Sequence, residues 1–217
     1  MQETINIRRG NGITPITYID SGQIAEIKKH GKRFHEFTML EAIAKIDLPR
    51  GTFVDVGAHV GNHSIFFAKY CKSCEHVLAY DPSNAYRTLF DNVSRQSLLA
   101  KITTIRVAVG AKRGKCNVVN NSERPGQSTV DTKPGGQNIM IAIDDIEWDY
   151  PPVLIKVDVE GTEYDILEGA RQTIMTYRPE LFVETFREPE KLLKHLPEGY
   201  RIVKRYNNAP TYHLTAK

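Results

Sequence analysis

The chain has 217 residues, of which 41% are hydrophobic and 25% are charged. This is the composition of a soluble globular protein, and the length suits one domain with a sizeable core. The net charge of +3 is small and the basic residues are spread along the chain, so the composition does not predict a nucleic-acid-binding protein.

The same sequence bears on location and metal content. No apolar stretch approaches the roughly 20 residues of a membrane-spanning helix, and the first residues lack the apolar core of a secretory signal. Cys71, Cys74 and Cys116 are a low, odd set of cysteines that fits a reducing compartment. A zinc site around the CxxC of Cys71 and Cys74, with His76 nearby, would need a second ligand pair. Unless a leader has been removed, we predict a cytoplasmic protein with free thiols.

The first part of the chain predicts a small addition and then a helix. Residues 4–27 alternate apolar and polar positions around glycines and a proline, which predicts a β-hairpin. Residues 34–46 place their apolar side chains on one helical face, and a proline and a glycine follow. We therefore treat residues 1–33 as an N-terminal β extension of a single domain, 1–217.

From residue 53 onward, strands alternate with helices. This alternation predicts an α/β fold with a mostly parallel sheet covered on both faces. The predicted strands are 53–56, 76–81, 103–110, 153–159 and 180–185, and the predicted helices are 63–71, 84–97, 162–177 and 189–196.

Two segments stand outside this alternation. Residues 114–143 form a β-rich insertion, and residues 186–217 hold a short helix and a predicted terminal hairpin. Within the insertion, the polar stretch 120–137, which includes Arg124, is long for a loop without structure. It is either a lid or wall of the acceptor site, or a hairpin tip without a role.

Acidic residues follow the predicted strands. Ligands of a parallel sheet bind outside the carboxyl ends of its strands. Helix capping accounts for one or two carboxylates there, but a larger cluster repels itself unless a positive group lies among its members. The residues at these ends are Asp55 with Gly57 and Gly61, Asp81 with Pro82, Asp158 and Glu160 with Gly161, and Glu184.

The glycine turn of FVDVGAHVGNH, residues 53–63, favours one nucleoside ligand. Asp81 follows Gly61 by about 20 positions, where an acidic residue binds ribose hydroxyls in such folds. Asp55 replaces the first glycine of a dinucleotide loop, and its charge would repel a pyrophosphate and attract an ammonium or a sulfonium. S-adenosylmethionine carries a ribose and both cations, so we predict it rather than NAD. The loop also lacks the GK[ST] of an ATP-binding P-loop.

Four segments in this order resemble the FkbM family of S-adenosylmethionine-dependent methyltransferases: DVGAHVGNHSIFFA, AYDPSNAYRTLFDNV, VAVG and IKVDVEGTEYDILEGA. The resemblance covers residues 34–185 and is most specific in the last segment. It implies a class I (Rossmann-like) methyltransferase fold with a seven-stranded sheet whose last strand is antiparallel. It also implies methyl transfer to a hydroxyl of a sugar, glycan or polyketide-like natural product. Asp81 departs from the glutamate that the family carries more often, and both residues can bind a ribose.

The fold and the resemblance together predict cofactor contacts. The turn at Gly57 and Ala58 is expected under the methionyl part, and Asp81 on the ribose. Glu36 is included because a similar segment of the family approaches the cofactor, with a solvated helix residue as an equal alternative. The predicted cofactor-binding residues are Glu36, Asp55 near the ammonium, Val56, Gly57, Ala58, Gly61, Asn62, Asp81, Pro82, Ala108 and Val109 near the adenine, and Asp158.

The acceptor hydroxyl needs a group that takes or stabilises its proton, because an alcohol is a weak nucleophile near neutral pH. The candidate catalytic residues are Asp158, Glu160, Glu184 and His63. Their carboxylates could hold Mg²⁺, which would lower the pKa of the hydroxyl. We favour direct acid–base catalysis or positioning without a metal. Glu160 has an alternative role as a helix cap.

Other functions remain open. A DNA amino-methyltransferase would need a proline pair and an aromatic residue after an amide or aspartate at the end of the fourth strand. That end reads DVEG, and the similar DYPP at 149–152 precedes the strand. A cytosine-C5 enzyme would need a cysteine there, and a different small-molecule methyltransferase stays possible. A non-catalytic S-adenosylmethionine-binding protein is the third reading, although Asp55, Gly57, Gly61 and Asp81 argue for an intact cofactor pocket.

Overall fold

The computed structural model of the protein describes residues 2–124, 127–132 and 135–216. The strands are β1 Glu3–Arg9, β2 Gly12–Tyr18, β3 Gly51–Val56, β4 Cys74–Tyr80, β5 Ile102–Ile105, β6 Ala108–Val109, β7 Gly114–Val119, β8 Thr129–Asp131, β9 Asn138–Ile141, β10 Pro152–Val157, β11 Glu180–Glu184, β12 Arg201–Tyr206 and β13 Thr211–Thr215. The helices are α1 Ser21–Lys29, α2 Phe37–Ile43, α3 Asn62–Tyr70, α4 Tyr86–Arg95, α5 Glu163–Glu168, α6 Arg171–Tyr177 and α7 Glu190–Leu193, with a 3-10 turn at Ile143–Asp145.

The main sheet has seven strands in the order β12-β13-β11-β10-β3-β4-β5. The strands from β11 to β5 are parallel, and β13 runs antiparallel to both of its neighbours. This arrangement confirms the predicted class I methyltransferase fold, including the terminal hairpin β12–β13. In the part of the chain that the structure describes, no helix combines the length and apolarity needed to cross a membrane.

The two faces of the sheet carry two separate hydrophobic cores. Phe53 and Leu154 point into the core that the N-terminal hairpin and helices α1–α4 cover. Their neighbours Val54 and Ile155 point into the opposite core, under α5 and α6. Every residue of β3 and β10 is buried, because strands covered on both faces have no solvent side.

The β-hairpin of the N-terminal addition is shorter than predicted. The hairpin was expected over residues 4–27, but β2 ends at Tyr18 and α1 follows. Asp20 is the reason: its Oδ1 accepts a hydrogen bond from the Gln23 backbone N–H at 2.9 Å, which caps a helix where the alternation would have continued a strand.

Asn92 of α4 joins this hairpin to the main domain. Its fully buried amide donates to the carbonyl oxygens of Thr17, at 2.9 Å, and Val60, at 2.8 Å. It also accepts from the Thr17 N–H at 2.9 Å. Nearby, the Tyr18 hydroxyl donates to Asn62 Oδ1 at 2.7 Å. The hairpin is therefore bonded to α4 and to the first residue of α3, just after Gly61, and it supports the cavity described below.

The predicted strand 103–110 is in fact two strands in two sheets. β5 pairs with β4, whereas β6 leaves the main sheet and pairs with β9, with Ala108 beside Met140 and Val109 beside Ile141. The small second sheet has the order β6-β9-β7-β8. Strand β9 of the β-rich insertion offers β6 a pairing partner outside the main sheet, and the apolar run 103–110 alone did not reveal this.

The predicted helix 162–177 is likewise divided, into α5 and α6. A Cβ on Gly169 would lie 2.1 Å from the carbonyl oxygen of Gly110, so the chain bends at a close backbone contact. Asp144 then starts the second helix, because its carboxylate accepts hydrogen bonds from the N–H groups of Gln172 and Thr173 at 2.9 and 2.8 Å.

Candidate active site

A cavity of about 630 Å³ opens at the carboxyl ends of β3, β4, β10 and β11. Its remaining walls come from the start of α1, the segment before α2, and the β7–β8 region. Pockets of 300–1,000 Å³ hold ligands of roughly nucleoside size. The predicted edge of the sheet is therefore concave and large enough for the predicted cofactor.

Most of the residues predicted from the sequence line this cavity. They are Glu36, Gly57, Ala58, Asn62, His63, Asp81, Pro82, Asp158, Glu160 and Glu184. The predicted residues that are absent from the wall are Asp55, Val56, Gly61, Ala108 and Val109. Ala108 and Val109 belong to β6 of the small sheet, and Val56 and Asp55 are buried inside β3.

The turn after β3 requires a glycine, and two of its N–H groups already donate hydrogen bonds within the protein. Gly57 has φ +78°, and a Cβ there would lie 1.8 Å from the carbonyl oxygen of Asp158. The N–H groups of Gly57 and Ala58 both donate to the Tyr80 carbonyl, at 2.9 and 3.0 Å. A loop that binds pyrophosphate presents such N–H groups to its ligand. This turn does not, which agrees with the prediction against a dinucleotide.

Asp81, after β4, is held in one orientation at the cavity wall. Its Oδ1 accepts hydrogen bonds from the N–H and the hydroxyl of Ser83, at 2.9 and 2.5 Å. Its Oδ2 accepts from the His59 N–H at 2.8 Å and keeps a second lone pair. A carboxylate placed in this way can accept a further hydrogen bond from a ribose hydroxyl.

Lys156 of β10 is the site residue that the sequence reasoning missed. It is 2% exposed, and its Nζ lies 2.9 Å from Asp55 Oδ1 and 3.1 Å from Asp158 Oδ2. It also donates to the Gly57 carbonyl at 3.1 Å. A lone lysine within the apolar run VLIKVDV was the available signal, because a charge in a doubly covered strand needs a buried partner.

This lysine changes the role expected for Asp55. The Asp55 side chain is completely buried, accepts from the Ser64 hydroxyl at 2.6 Å, and pairs with Lys156. Lys156 and Asp158 line the cavity and Asp55 does not. The predicted direct contact between Asp55 and the ammonium of the cofactor is therefore not available, since the paired lysine already compensates its charge.

The carboxylates at the ends of β10 and β11 differ in protonation. Burial alone would raise the pKa of Asp158, but the positive charge of Lys156, aided by His63, outweighs burial and lowers the pKa. At the end of β11, burial and the nearby charges of Asp158 and Glu36 raise the pKa of Glu184 to about 9. The two groups therefore carry different charges at neutral pH.

Glu160 and Glu36 complete the acidic wall. Burial, followed by the charges of Asp158 and Glu163, raises the pKa of Glu160. Glu36 has φ +57° and immediately precedes α2, so the helix predicted from residue 34 begins only at Phe37.

Glu36, His63 and Asp158 form a candidate cation site. Among the described residues, their ligand-type atoms all lie within 4.8 Å of one another, and His63 Nε2 is 3.2 Å from Glu36 Oε2. The set fits Mg²⁺ poorly, because Mg²⁺ prefers oxygen ligands and Asp158 is already paired with Lys156. An organic cation needs no such coordination geometry and suits this wall better.

Two polar atoms on the wall have neither a hydrogen bond nor an ion-pair contact within the described residues. Gln23 Oε1 and His59 Nε2 are buried and make no hydrogen bond there. Both residues line the cavity. Buried polar atoms without partners are costly, so they indicate a ligand that would complete them.

The β7–β8 region forms the wall that the sequence suggested as a lid. The lining residues from it are Val118, Glu123, Arg124, Gln127, Ser128 and Val130. Residues 125–126 and 133–134 of the predicted segment lie outside the described residues. Its action as a lid or acceptor wall stays a prediction.

Two weaker sequence signals lie away from the cavity. DYPP, residues 149–152, ends at Pro152, the first residue of β10, and so stands at the opposite edge of the sheet. Cys71, Cys74 and Cys116 are free and buried, and none of them lines the cavity. Burial raises the pKa of the Cys71 and Cys74 thiols to about 12.

Three solved structures that share this architecture are described as methyltransferases. Methyltransferase FkbM from Methylobacillus flagellatus aligns with a TM-score of 0.57 at 20% identity, over 82% of this chain and 51% of that one. A Streptococcus pneumoniae protein assigned as a tRNA methyltransferase, in complex with S-adenosyl-L-methionine, aligns at 0.51 and 14% identity, over 82% and 70%. A precorrin-6y methyltransferase from Geobacter metallireducens aligns at 0.51 and 13% identity, over 85% and 89%. At such identities the likeness establishes the fold, and this chain spans about half the length of the first protein.

The sequence comparison identifies the family. No curated protein matches the chain. The methyltransferase FkbM domain matches residues 55–202, which is well over half of the chain and includes the glycine turn, Asp81 and the ends of β10 and β11. The chain therefore belongs to the FkbM methyltransferase family.

Proposed function

We propose that this protein is an S-adenosylmethionine-dependent O-methyltransferase that acts on a hydroxyl of a sugar, glycan or natural-product acceptor. The observation that carries the proposal is the convergence of the Gly57 turn, Asp81 and Glu184 on one cavity. Family membership supports methyl transfer. The choice of an oxygen acceptor rests on the carboxyl groups at the ends of β10 and β11.

The residues on the cavity wall suit each part of S-adenosylmethionine. Asp81 Oδ2 would accept from the ribose, and Pro82, next to it on the cavity wall, would border the adenine. The backbone at Gly57 and Ala58 would lie under the methionyl part. Asp158 would face its ammonium, because Lys156 keeps this carboxylate ionised despite its burial.

When bound, S-adenosylmethionine supplies a methyl group on a sulfonium, so that the O–CH₃ bond of the product forms as the S–CH₃ bond breaks and S-adenosylhomocysteine remains. The chain must then position the acceptor oxygen and receive its proton. Glu184 is the proposed base. With its pKa raised to about 9 it is protonated at neutral pH, and a neighbouring cation favours its ionised form. The base is therefore available when a positive charge occupies the adjacent wall.

Calorimetric titration with S-adenosylmethionine tests the cofactor site. Asp81→Ala should weaken binding by about 10- to 100-fold, because a hydrogen bond to a charged group is lost. Asp91→Ala, which removes an exposed carboxylate of α4, is the matched control and should bind as the wild type does. Unchanged affinity in Asp81→Ala would contradict the proposed ribose contact.

A second measurement separates an enzyme from a non-catalytic binder. The protein is incubated with methyl-labelled S-adenosylmethionine and a panel of glycosides, glycans and macrolide alcohols, with a tRNA pool in parallel. Labelled O-methyl product is expected from a hydroxyl acceptor. Label in the tRNA alone would support the nucleic-acid alternative, and tight binding without any product would support the non-catalytic one.

A further inference from the structure

A smaller cleft of about 170 Å³ lies beside the main cavity. The two share Val159, Glu160 and Glu184, which belong to the ends of β10 and β11. The other residues of this side cleft are Gly161, Glu163, Thr185, Phe186 and Arg187. Asp81 and the glycine turn are absent from it, so a ligand there would lie beside Glu184 and not beside the ribose contact.

Glu163 brings to the side cleft a carboxylate oxygen without a hydrogen-bond partner among the described residues. The residue is 4% exposed, and its Oε1 accepts from the Gly161 N–H at 2.8 Å. Its Oε2 is buried and accepts no hydrogen bond from any described residue. An unsatisfied buried carboxylate oxygen costs free energy. A hydroxyl of a ligand in the cleft would satisfy it.

Phe186 supplies an apolar surface on the same wall. It is 76% exposed, the largest exposed fraction among the large hydrophobic side chains that the structure describes. A single exposed phenylalanine is ordinary on a protein surface. This one borders a cleft that also contains an unsatisfied acceptor, and an aromatic face can cover the apolar C–H face of a ring.

Arg187 adds donors in a fixed position. Its guanidinium lies 5.2 Å from the centre of the Tyr164 ring, and that ring is stacked on His195 at 4.8 Å. One N–H contacts the Gly161 carbonyl at 3.4 Å. A guanidinium carries five N–H donors, so others can serve a ligand oxygen. The cleft thus combines a donor, an acceptor and an aromatic face.

The charges of the cleft disfavour an anionic ligand. Glu160, Glu163 and Glu184 contribute three carboxyl groups against the one guanidinium of Arg187. A phosphate or carboxylate would meet this acidic wall, whereas a neutral polyol can donate to it. The volume is below that of pockets for drug-sized ligands, so the cleft has room for one ring and not for a polymer segment.

Building on the proposed function, we propose that the side cleft binds one uncharged sugar ring of the methyl acceptor. Phe186 covers the C–H face of the ring, and Glu163 Oε2 accepts a hydrogen bond from one of its hydroxyls. The ring then presents a neighbouring hydroxyl toward Glu184 across the shared wall. Phe186 and Glu163 are in this view specificity-determining residues of the acceptor.

Ligand-observed saturation-transfer NMR on the full chain tests this site without S-adenosylmethionine. The probes are methyl glycosides of glucose, mannose, galactose, rhamnose and fucose, with glucose 6-phosphate as the charged comparison. At least one neutral glycoside should show saturation of its ring C–H protons. Phe186→Ala should weaken its binding by about tenfold. Phe90→Ala, at another exposed phenylalanine on α4, should leave it unchanged.

Glu163→Gln and calorimetry complete the test. Gln keeps the shape of Glu163 and loses the charged acceptor, so Glu163→Gln should bind the same glycoside more weakly. In calorimetry, Phe186→Ala should retain wild-type affinity for S-adenosylmethionine. The proposal is overturned if no neutral glycoside is saturated, if Phe186→Ala binds normally, or if the phosphate binds more tightly. Failure to bind S-adenosylmethionine would instead overturn the proposed function, and the two failures are measured separately.

Discussion

The ends of β10 and β11 lie side by side, with Val157 paired to Val183, yet they hold carboxyl groups of opposite character. Asp158, just after β10, has a pKa below its ordinary value because Lys156 outweighs burial. Glu184, at the end of β11, forms no such pair with a described residue, and burial together with the charges of Asp158 and Glu36 raises its pKa to about 9. One strand end therefore holds a permanent anion and the other a group that can exchange a proton.

This difference shows how one buried lysine can give neighbouring carboxyl groups different protonation states and different roles. A fixed anion suits a cationic ligand, whereas a carboxyl group of raised pKa suits proton transfer. Both residues stand at the same sheet edge and read alike in the sequence. Their roles are separated by the position of Lys156 Nζ, 3.1 Å from Asp158 Oδ2.

Removing the lysine should have the largest effect. Lys156→Met leaves Asp55 and Asp158 without their buried cation, so the free energy of unfolding should fall by about 3–5 kcal/mol. Urea unfolding measures the loss. Lys72→Met, at an exposed lysine, should change stability by less than about 0.5 kcal/mol.

A double variant sharpens this test. Asp55→Asn combined with Lys156→Met removes one of the two uncompensated carboxylates, so it should regain part of the stability that the single change loses. If Lys156→Met loses less than about 1 kcal/mol, the lysine is not the compensating charge, and the contrast between the two strand ends fails.

The second test addresses catalysis at the end of β11. Glu184→Gln should lower kcat by about 10²- to 10⁴-fold, because the proposed base is lost. In the wild type, kcat/KM should rise with pH toward a value near 9, since the ionised carboxyl is the active form. The variant should lack this rise, and Glu188→Gln, at an exposed glutamate, should keep it. A wild-type profile that is flat up to pH 9 would contradict the assignment.

The raised pKa of Glu184 also predicts a dependence of stability on pH that does not involve catalysis. Its pKa is about 9 in the folded protein and near 4.5 when unfolded, so the folded state retains a proton that the unfolded state loses. Stability should therefore fall as pH rises from about 5 to 9. Glu184→Gln should remove this pH dependence. The Tm of the variant, compared with that of the wild type, should therefore be higher at pH 9 than at pH 5 by roughly 2–8 °C. Calorimetry at several pH values that showed parallel curves for both proteins would refute it.

The smallest effect is expected from metal removal. Glu36, His63 and Asp158 offer one imidazole nitrogen and two carboxylates, one of which is already paired with Lys156, and this set suits Mg²⁺ poorly. Exhaustive treatment with EDTA should therefore change activity by less than about twofold. Activity that disappears with EDTA and returns with Mg²⁺ or Mn²⁺ would reverse this prediction and make Asp158 a metal ligand.

Much of the fold could be read from the sequence because it depends on local patterns. The alternation of buried strands with helices predicted the parallel sheet, and the two glycines with Asp81 predicted the cavity at its edge. Two of the errors lie where a segment responds to a distant partner. Residues 103–110 divide because β6 meets β9, and the helix after β10 divides because Gly169 meets Gly110.

The sequence by itself determined the family, the sheet and which carboxylates reach its carboxyl edge, because these follow from residue order and strand direction. Tertiary structure decided which of them are charged. Lys156 and Asp55 are far apart in the chain and become neighbours only when β10 pairs with β3. The pKa of a carboxyl group depends on burial and on charges a few ångströms away, and those distances exist only in the folded protein.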